Sequence, residues 1–232
     1  MPEPVPAISI KNLTVRYENG PYLLRDFSLE IFPGECAAVQ GESGSGKSTL
    51  LYCICGLIPE SVSAEITGDV RLFGRPAGEY QRRELCQTVG IVFQNPETQL
   101  FCGTVEDELA FGMENICLPR EEMSARIAEA LVLTGLEKHR LTPPKRLSGG
   151  QKQLVALAAV LALRPKILLL DEAFSQLDEN GRRRLLAHVS ALRDGGRTIV
   201  LVDHNAENLG FARIAARLGR RRNEGYSNSI FY

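Results

Sequence analysis

Eight consecutive residues, Gly41, Glu42, Ser43, Gly44, Ser45, Gly46, Lys47 and Ser48, restrict the folds open to this chain more than any other stretch. They fit the spacing G-x-x-x-x-G-K-[S/T] and stand between two predictable elements. Ahead of them, Cys36–Val39 is short and wholly apolar, the pattern of a central strand buried on both faces. Behind them, Lys47–Leu57 predicts a helix closed near Gly56 and Pro59. The residue types have a physical reason. A polyphosphate needs many hydrogen-bond donors at short range, so such a loop turns its backbone N–H groups inward. Side chains at Gly41, Gly44 or Gly46 would block that approach or forbid the required φ. The following helix, which Thr49 continues, offers its positive end. Lys47 can reach the β- and γ-phosphates, and Ser48 can hold Mg²⁺. The loop therefore predicts binding of a nucleoside triphosphate.

The rest of the chain supplies a fold for that loop. Leu13, Val15 and Tyr17 alternate with polar residues, as do Phe27, Leu29 and Ile31, so each set predicts a half-buried strand. Val70–Leu72 and Val89–Phe93 predict further strands. Between Gln94 and Arg164 the pattern turns helical. Thr104-x-x-Asp107 resembles a capping box, Met123, Ile127 and Leu131 recur at helical spacing, and Gly135 predicts a helix stop. Ser148 is placed to cap a helix over Gln151–Leu163. Strand Ile167–Leu170, helix Gly181–Leu192 and strand Thr198–Val202 follow. Strands alternating with helices predict an α/β fold with a mainly parallel sheet, interrupted by a helical insertion.

Composition narrows the classes. A chain of 232 residues can bury its core as one domain. A net charge of -1 gives no global attraction to nucleic acid or anionic lipid. The six cysteines form no Cys-x-x-Cys pair and have no histidine at metal spacing, so they read as reduced thiols of a cytosolic protein. The start, Met1-Pro2-Glu3-Pro4-Val5-Pro6, has neither a basic nor an apolar segment of a signal peptide. The apolar run Leu154–Leu163 is far shorter than the ~20 residues of a membrane-spanning helix.

Ile167–Leu170 delivers two carboxylates, Asp171 and Glu172, at the end of an apolar strand. Ligands sit at that edge of a doubly wound sheet. Asp171 can hold Mg²⁺ through its water shell, and Glu172 can polarise a water aimed at the γ-phosphate.

The order of these motifs, with five more, resembles the ATP-binding-cassette (ABC) ATPases from about Ile8 to about Phe211, nearly the whole chain. Gln94 ends strand 89–93 where that family has its Q-loop glutamine. Leu147-Ser148-Gly149-Gly150-Gln151 matches the family signature. Ser175-Gln176-Leu177-Asp178 resembles the D-loop. His204 matches the switch histidine, and Tyr17 stands where an aromatic stacks on adenine. The resemblance implies a RecA-like P-loop core, an N-terminal antiparallel β subdomain and an inserted α-helical subdomain. It divides a single ABC ATPase domain, 1–232, into core (about 1–94 and 165–211), helical signature subdomain (95–164) and an atypical tail (212–232).

It also implies ATP and Mg²⁺ as ligands, with Ser48, Gln94 and Asp171 at the metal and Glu172, His204 and Gln94 at the reacting phosphate. Ser148, Gly149, Gly150, Gln151 and Asp178 would close over a nucleotide held by a second cassette, either a copy of this chain or a paralogue. ATP binding would close that dimer and hydrolysis would reopen it.

Within the family, Gln94–Phe101 and Thr104–Gly112 look like the ATPase subunits of energy-coupling-factor importers, the vitamin and cobalt/nickel type. That implies a transmembrane subunit docking near Gln94–Gly112, a substrate-binding membrane component, no nucleic acid, and a peripheral position on the cytoplasmic face of the membrane. Three features depart from the family pattern. Ala173 replaces a usual proline, Leu154 replaces a usual arginine, and from about Arg213 the text does not resemble the family's last strand. Arg220, Arg221 and Arg222 read as a solvated tail. Two other readings are a soluble ABC ATPase acting on nucleic acid or ribosomes, and a P-loop kinase. Neutral charge and residues 94–112 argue against the first, and Leu147–Gln151 with Glu172 and His204 against the second.

Overall fold

Alternating apolar residues build the first sheet. In the computed structural model, which describes residues 4–18, 20–175, 177–203, 212, 214–221 and 225–231, strands β1 (Ile8–Arg16) and β2 (Tyr22–Ile31) pair antiparallel, with Ile8 opposite Ile31 and Leu13 opposite Phe27. Ile8, Ile10, Leu13 and Val15 all point inward and are fully buried. Next, β3 (Cys36–Gly41) runs into α1 (Lys47–Ile54). This helix stops short of the predicted Leu57, because Gly56 takes a left-handed conformation (φ 73°) that ends it. A short turn, α2 (Leu57–Glu60), leads to β4 (Glu65–Leu72) and β5 (Arg75–Pro76), which complete a sheet of order β2-β1-β4-β5.

After α3 (Arg82–Thr88), strand β6 (Val89–Val92) enters the second sheet. Three helices then form a unit of their own: α4 (Val105–Asn115), α5 (Arg120–Thr134) and α6 (Gly149–Ala162). Val105, Leu109, Met113, Ile127, Leu131, Val155 and Ala158 share its core. Gly135 (φ 69°) ends α5 as expected. Thr104 caps α4, but its hydroxyl bonds the Asp107 carboxylate rather than forming a reciprocal box. The reciprocal box is at α6. There Ser148 Oγ accepts from the Gln151 N–H at 3.3 Å, while Gln151 Oε1 accepts from the Ser148 N–H at 3.0 Å.

Strand β7 (Ile167–Asp171), helix α7 (Glu179–Asp194) and strand β8 (Thr198–Val202) return the chain to the second sheet. Its order is β10-β9-β3-β8-β7-β6, parallel from β9 to β6. Both faces are covered, which explains the unbroken apolar strands. Val39, Leu169, Val200 and Val202 face α1 and the first sheet. Cys36, Ala38, Leu168, Leu170, Ile199 and Leu201 face α6 and α7. Helix α6 contributes Ala156, Leu157 and Val160 to that second cluster and Val155, Ala158 and Ala162 to the helical unit. It is apolar nearly all round because it is buried on two sides.

The C-terminal reading needs correction. Residues 214–221, placed in an atypical tail unlike the family's last strand, form strand β9 (Ile214–Arg221), parallel to β3 with Ala37 opposite Ile214 and Gly41 opposite Leu218. Strand β10 (Gly225–Phe231) pairs antiparallel along its outer edge. Ala216 and Leu218 are buried while Arg217 between them is exposed, a period of two that the flanking arginines obscure. Burying Leu218 alone contributes about 2 kcal/mol. Main-chain pairing to β3 overrides a side-chain pattern too weak to read. No helix among the described residues is long and apolar enough to cross a membrane.

All six cysteines are free thiols. Burial pushes the Cys36 and Cys53 thiols up to about 12, so neither supplies thiolate near neutrality. Cys86 and Cys117 lie exposed. Iodoacetamide at neutral pH is therefore expected to label Cys117 and Cys86 in the native protein, and Cys36 and Cys53 only after unfolding. Mass spectrometry of the digested adducts checks this; native labelling of Cys36 would contradict the packing of β3.

Candidate functional site

The glycine loop leaves the carboxyl end of β3 and closes into α1. Two of its glycines have no substitute. Gly46 has φ 95°, and a Cβ there would lie 2.6 Å from the Leu23 carbonyl oxygen. A Cβ on Gly41 would meet Ser45 Oγ at 2.4 Å and the Leu218 carbonyl oxygen at 2.6 Å. The loop opens onto a cleft of about 450 Å³, lined by Gly41, Glu42, Ser43, Gly44, Gly46, Lys47, Ser48 and Thr49 together with Leu23, Gln94 and Glu172. No side chain caps α1 among the described residues, and its first turn carries no acid. The Ser45 hydroxyl is buried with no hydrogen-bond partner among the described residues. An orphaned hydroxyl and an uncapped helix start beside an open glycine cradle fit a polyphosphate.

The Lys47 side chain is 6% exposed. It donates to the carbonyl oxygens of Gly41 at 2.8 Å and Glu42 at 2.9 Å, and lies 3.9 Å from Glu172 Oε1. Gln94 Nε2 donates to the other Glu172 oxygen at 2.7 Å. Three expected site residues from β3–α1, β6 and β7 thus meet in one cleft. Glu172 sits in the left-handed region (φ 45°), which non-glycine residues seldom adopt. Its N–H donates to the Val202 carbonyl at 2.8 Å, which ties that backbone to the end of β8.

Asp171 is 3% exposed at the end of β7. Burial raises its carboxyl above the usual range and the neighbouring Glu172 charge adds to this, while a hydrogen bond from Ser48 and the Lys47 charge work against it. A serine hydroxyl bonded to a buried carboxylate is a hard-oxygen pair that fits a magnesium ion. No group of three or more His, Cys, Asp or Glu suited to a metal occurs among the described residues.

Other expected residues lie elsewhere. Ser148, Gly149, Gly150 and Gln151 line a separate cleft of about 640 Å³ with Asp178, which caps α7 through the Gly181 N–H at 2.7 Å. Asn180, Gly181 and Arg184 share that wall; nothing in their local pattern marked them. Tyr17 is half-buried against the core, its hydroxyl 3.3 Å from Thr49 Oγ1, and it flanks the first cleft through Thr49. His204 lies outside the described residues. Leu23 was not anticipated, because it reads as one more apolar residue of β2.

A parallel sheet that ends in this loop, beside a lysine and two strand-end acids, defines a P-loop nucleotide-binding protein. The family model described as ABC transporter matches residues 24–175, and the chain belongs to that family as a transporter ATPase, an ATP-hydrolysing ABC subunit. It is 39% identical over 229 residues to the energy-coupling factor transporter ATP-binding protein EcfA1 of Oceanobacillus iheyensis, covering 97% of this chain and 80% of that one. Among solved structures it is similar to cbiO1 from Clostridium perfringens, part of the ABC transporter complex cbiONQ, with a TM-score of 0.78 at 30% identity over 91% of this chain and 84% of that one. It is also similar to the cassette MJ0796, a dimer in a post-hydrolysis state bound to ADP and Pi, with a TM-score of 0.81 at 29% identity over 94% and 98%.

The raised Asp171 carboxyl has a measurable consequence. Its folded pKa lies above the unfolded value, so the fold favours the protonated form. The stability this confers is full at low pH and lost as pH rises through the folded pKa. Nucleotide-free Asp171→Asn is therefore expected to melt higher than the parent at about pH 7.5, with the gap narrowing as pH falls. Differential scanning fluorimetry in chelator, over a pH series, checks the sign. A variant that melts lower at neutral pH would mean the ionised carboxylate stabilises the empty site.

Proposed function

We propose that the chain is the ATP-hydrolysing subunit of an importer of the energy-coupling-factor type, for vitamin or cobalt/nickel uptake, at the cytoplasmic face of the cell membrane. One observation carries the mechanism: the cleft of Lys47 and Glu172 and the cleft of Ser148–Gln151 share no lining residue. One chain then presents two half-sites, and two cassettes facing head to tail complete two whole ones. The dimeric state of MJ0796 and the likeness to EcfA1 and cbiO1 support this reading. The partner is a second copy or a paralogue.

Loop N–H groups from Glu42 to Thr49 and Lys47 bind the β- and γ-phosphates, for which Lys47 exchanges its two carbonyl contacts. Ser48, Asp171 and Gln94 would hold Mg²⁺. That ion, when bound, neutralises charge on the phosphate oxygens. Glu172 accepts the proton of the attacking water once Gln94 releases its carboxylate. His204 contacts the γ-phosphate and Tyr17 the adenine. Across the dimer, the Ser148 hydroxyl and the N–H groups of Gly149 and Gly150 cover the partner's nucleotide at the start of α6. Gln151 fixes Ser148, and Asp178 borders the same wall.

The segment Gln94–Gly112 is the docking surface for a transmembrane subunit, which in turn works with a substrate-binding membrane component. Phe101 and Phe111 support this: they are 67% and 43% exposed and stack edge to face with centroids 4.7 Å apart. No nucleic acid is involved. The separate core of α4–α6 supports a helical subdomain at 95–164 within one ABC domain.

Glu172→Gln is expected to bind ATP normally and hydrolyse it at least ~100-fold more slowly. Lys47→Ala is expected to lose nucleotide affinity. Titration with a fluorescent ATP analogue alongside phosphate release separates the two; near-normal turnover in Glu172→Gln would remove it as the base. Turnover of the parent is expected to rise with protein concentration and again with the membrane partner. Full activity in dilute, monomeric protein would refute the two-cassette site.

A further inference from the structure

Phe93, the residue just before Gln94, has both of its backbone polar groups held by glutamine side chains. Gln99 Oε1 accepts from the Phe93 N–H at 3.2 Å, and its Nε2 donates to the Ile91 carbonyl at 3.1 Å. Gln153 Nε2 donates to the Phe93 carbonyl at 3.1 Å. Gln153 belongs to α6, one turn beyond the Ser148–Gln151 cap. A second tie lies beside it, where Lys152 Nζ meets Glu97 Oε1 at 2.5 Å and lowers the Glu97 carboxyl below its usual range.

Packing does not explain the amide at position 153. Gln153 is 1% exposed, and its Oε1 has no hydrogen-bond partner among the described residues. Methionine would fill the same space without the unmet Oε1, but it would take the donor away from the Phe93 carbonyl. What glutamine adds is one donor aimed at one carbonyl. That carbonyl belongs to the residue whose neighbour, Gln94, touches the Glu172 carboxylate.

We propose that Gln153 is a positioning residue, which couples the nucleotide-facing start of α6 to Gln94 and through it to Glu172. Helix α6 is rigid at this end, because the reciprocal cap joins Ser148 to Gln151 and Gln151 bonds His139 at 3.1 Å. A displacement of Ser148 by a partner's nucleotide therefore carries Gln153 with it. Gln153 pulls the Phe93 carbonyl, while Gln99 keeps the Phe93 N–H tied to β6, so the chain pivots at Phe93 and the peptide joining it to Gln94 rotates. Gln94 follows, and its hold on Glu172 changes. The inference rests on the reading of Gln94 as a site residue.

The test is steady-state ATPase of the full-length dimer in a double-mutant cycle. Gln153→Met is expected to keep KM within about twofold and to lower kcat about tenfold, the size of coupling between residues of one hydrogen-bond network. On a Gln94→Ala background it is expected to lower kcat no further. A kcat within about twofold of the parent, or a full additional tenfold loss on Gln94→Ala, would overturn the coupling. A merely structural role for Gln153 would give that additive loss. Gln153→Asn keeps the amide but falls short of Phe93, so it is expected to show the same kcat defect if Gln153→Met folds poorly. An unchanged kcat in Gln94→Ala alone would overturn the reading of Gln94, and the inference with it.

Discussion

A lysine side chain that is 6% exposed is costly to bury unless its charge is offset and its donors find partners. Lys47 bonds two of its donors to loop carbonyls and has its charge offset by the Glu172 carboxylate 3.9 Å away, and much of the structure is arranged around that fact. The loop that presents the Gly41 and Glu42 carbonyls packs so closely at Gly41 that a Cβ there would strike Ser45 and Leu218. Glu172 arrives from β7, two strands away in the sheet, with its backbone tied to β8. Gln94 arrives from the end of β6 on the far side of β7. A parallel sheet brings these groups to one edge because all its strands from β9 to β6 point the same way.

The second constraint is the two-sided burial of α6. One face packs against the sheet and the other against α4 and α5, so a displacement at its start is felt on both sides. Its start presents Ser148 and two glycines to the outside, and its next turn reaches Phe93. Dispersion contacts and polar ties run together along this helix. An apolar element that touches both halves transmits a displacement that a solvated one would absorb.

Much of this architecture was legible from residue patterns. The unbroken apolar runs marked the central strands, because strands covered on both faces cannot alternate. Gly135 and Ser148 marked helix ends, because a left-handed stop and a side-chain cap each need particular residues. The C-terminal strand was not legible. Ala216 and Leu218 are small signals among arginines, and their burial depends on main-chain pairing with β3, which no local pattern encodes. Gln99 and Gln153 were equally silent, since a glutamine in a loop or a helix carries no mark of the carbonyl it will meet. Helix α1 ended at Ile54, three residues before the predicted Leu57, because Gly56 acted as its stop.

By itself the sequence determined the class of chemistry. A glycine loop after a buried strand, a lysine in it and two acids after a later strand are local patterns with local physical causes, and their order along the chain identified the family. Only the tertiary structure decided which groups touch. It joined Gln94 to Glu172 across 78 residues of sequence, set the signature in a different cleft from the lysine, and closed the sheet with a strand that looked like a tail. The reason is physical: spacing encodes the geometry of a turn or a helix face, whereas a contact between distant segments depends on how every intervening element packs.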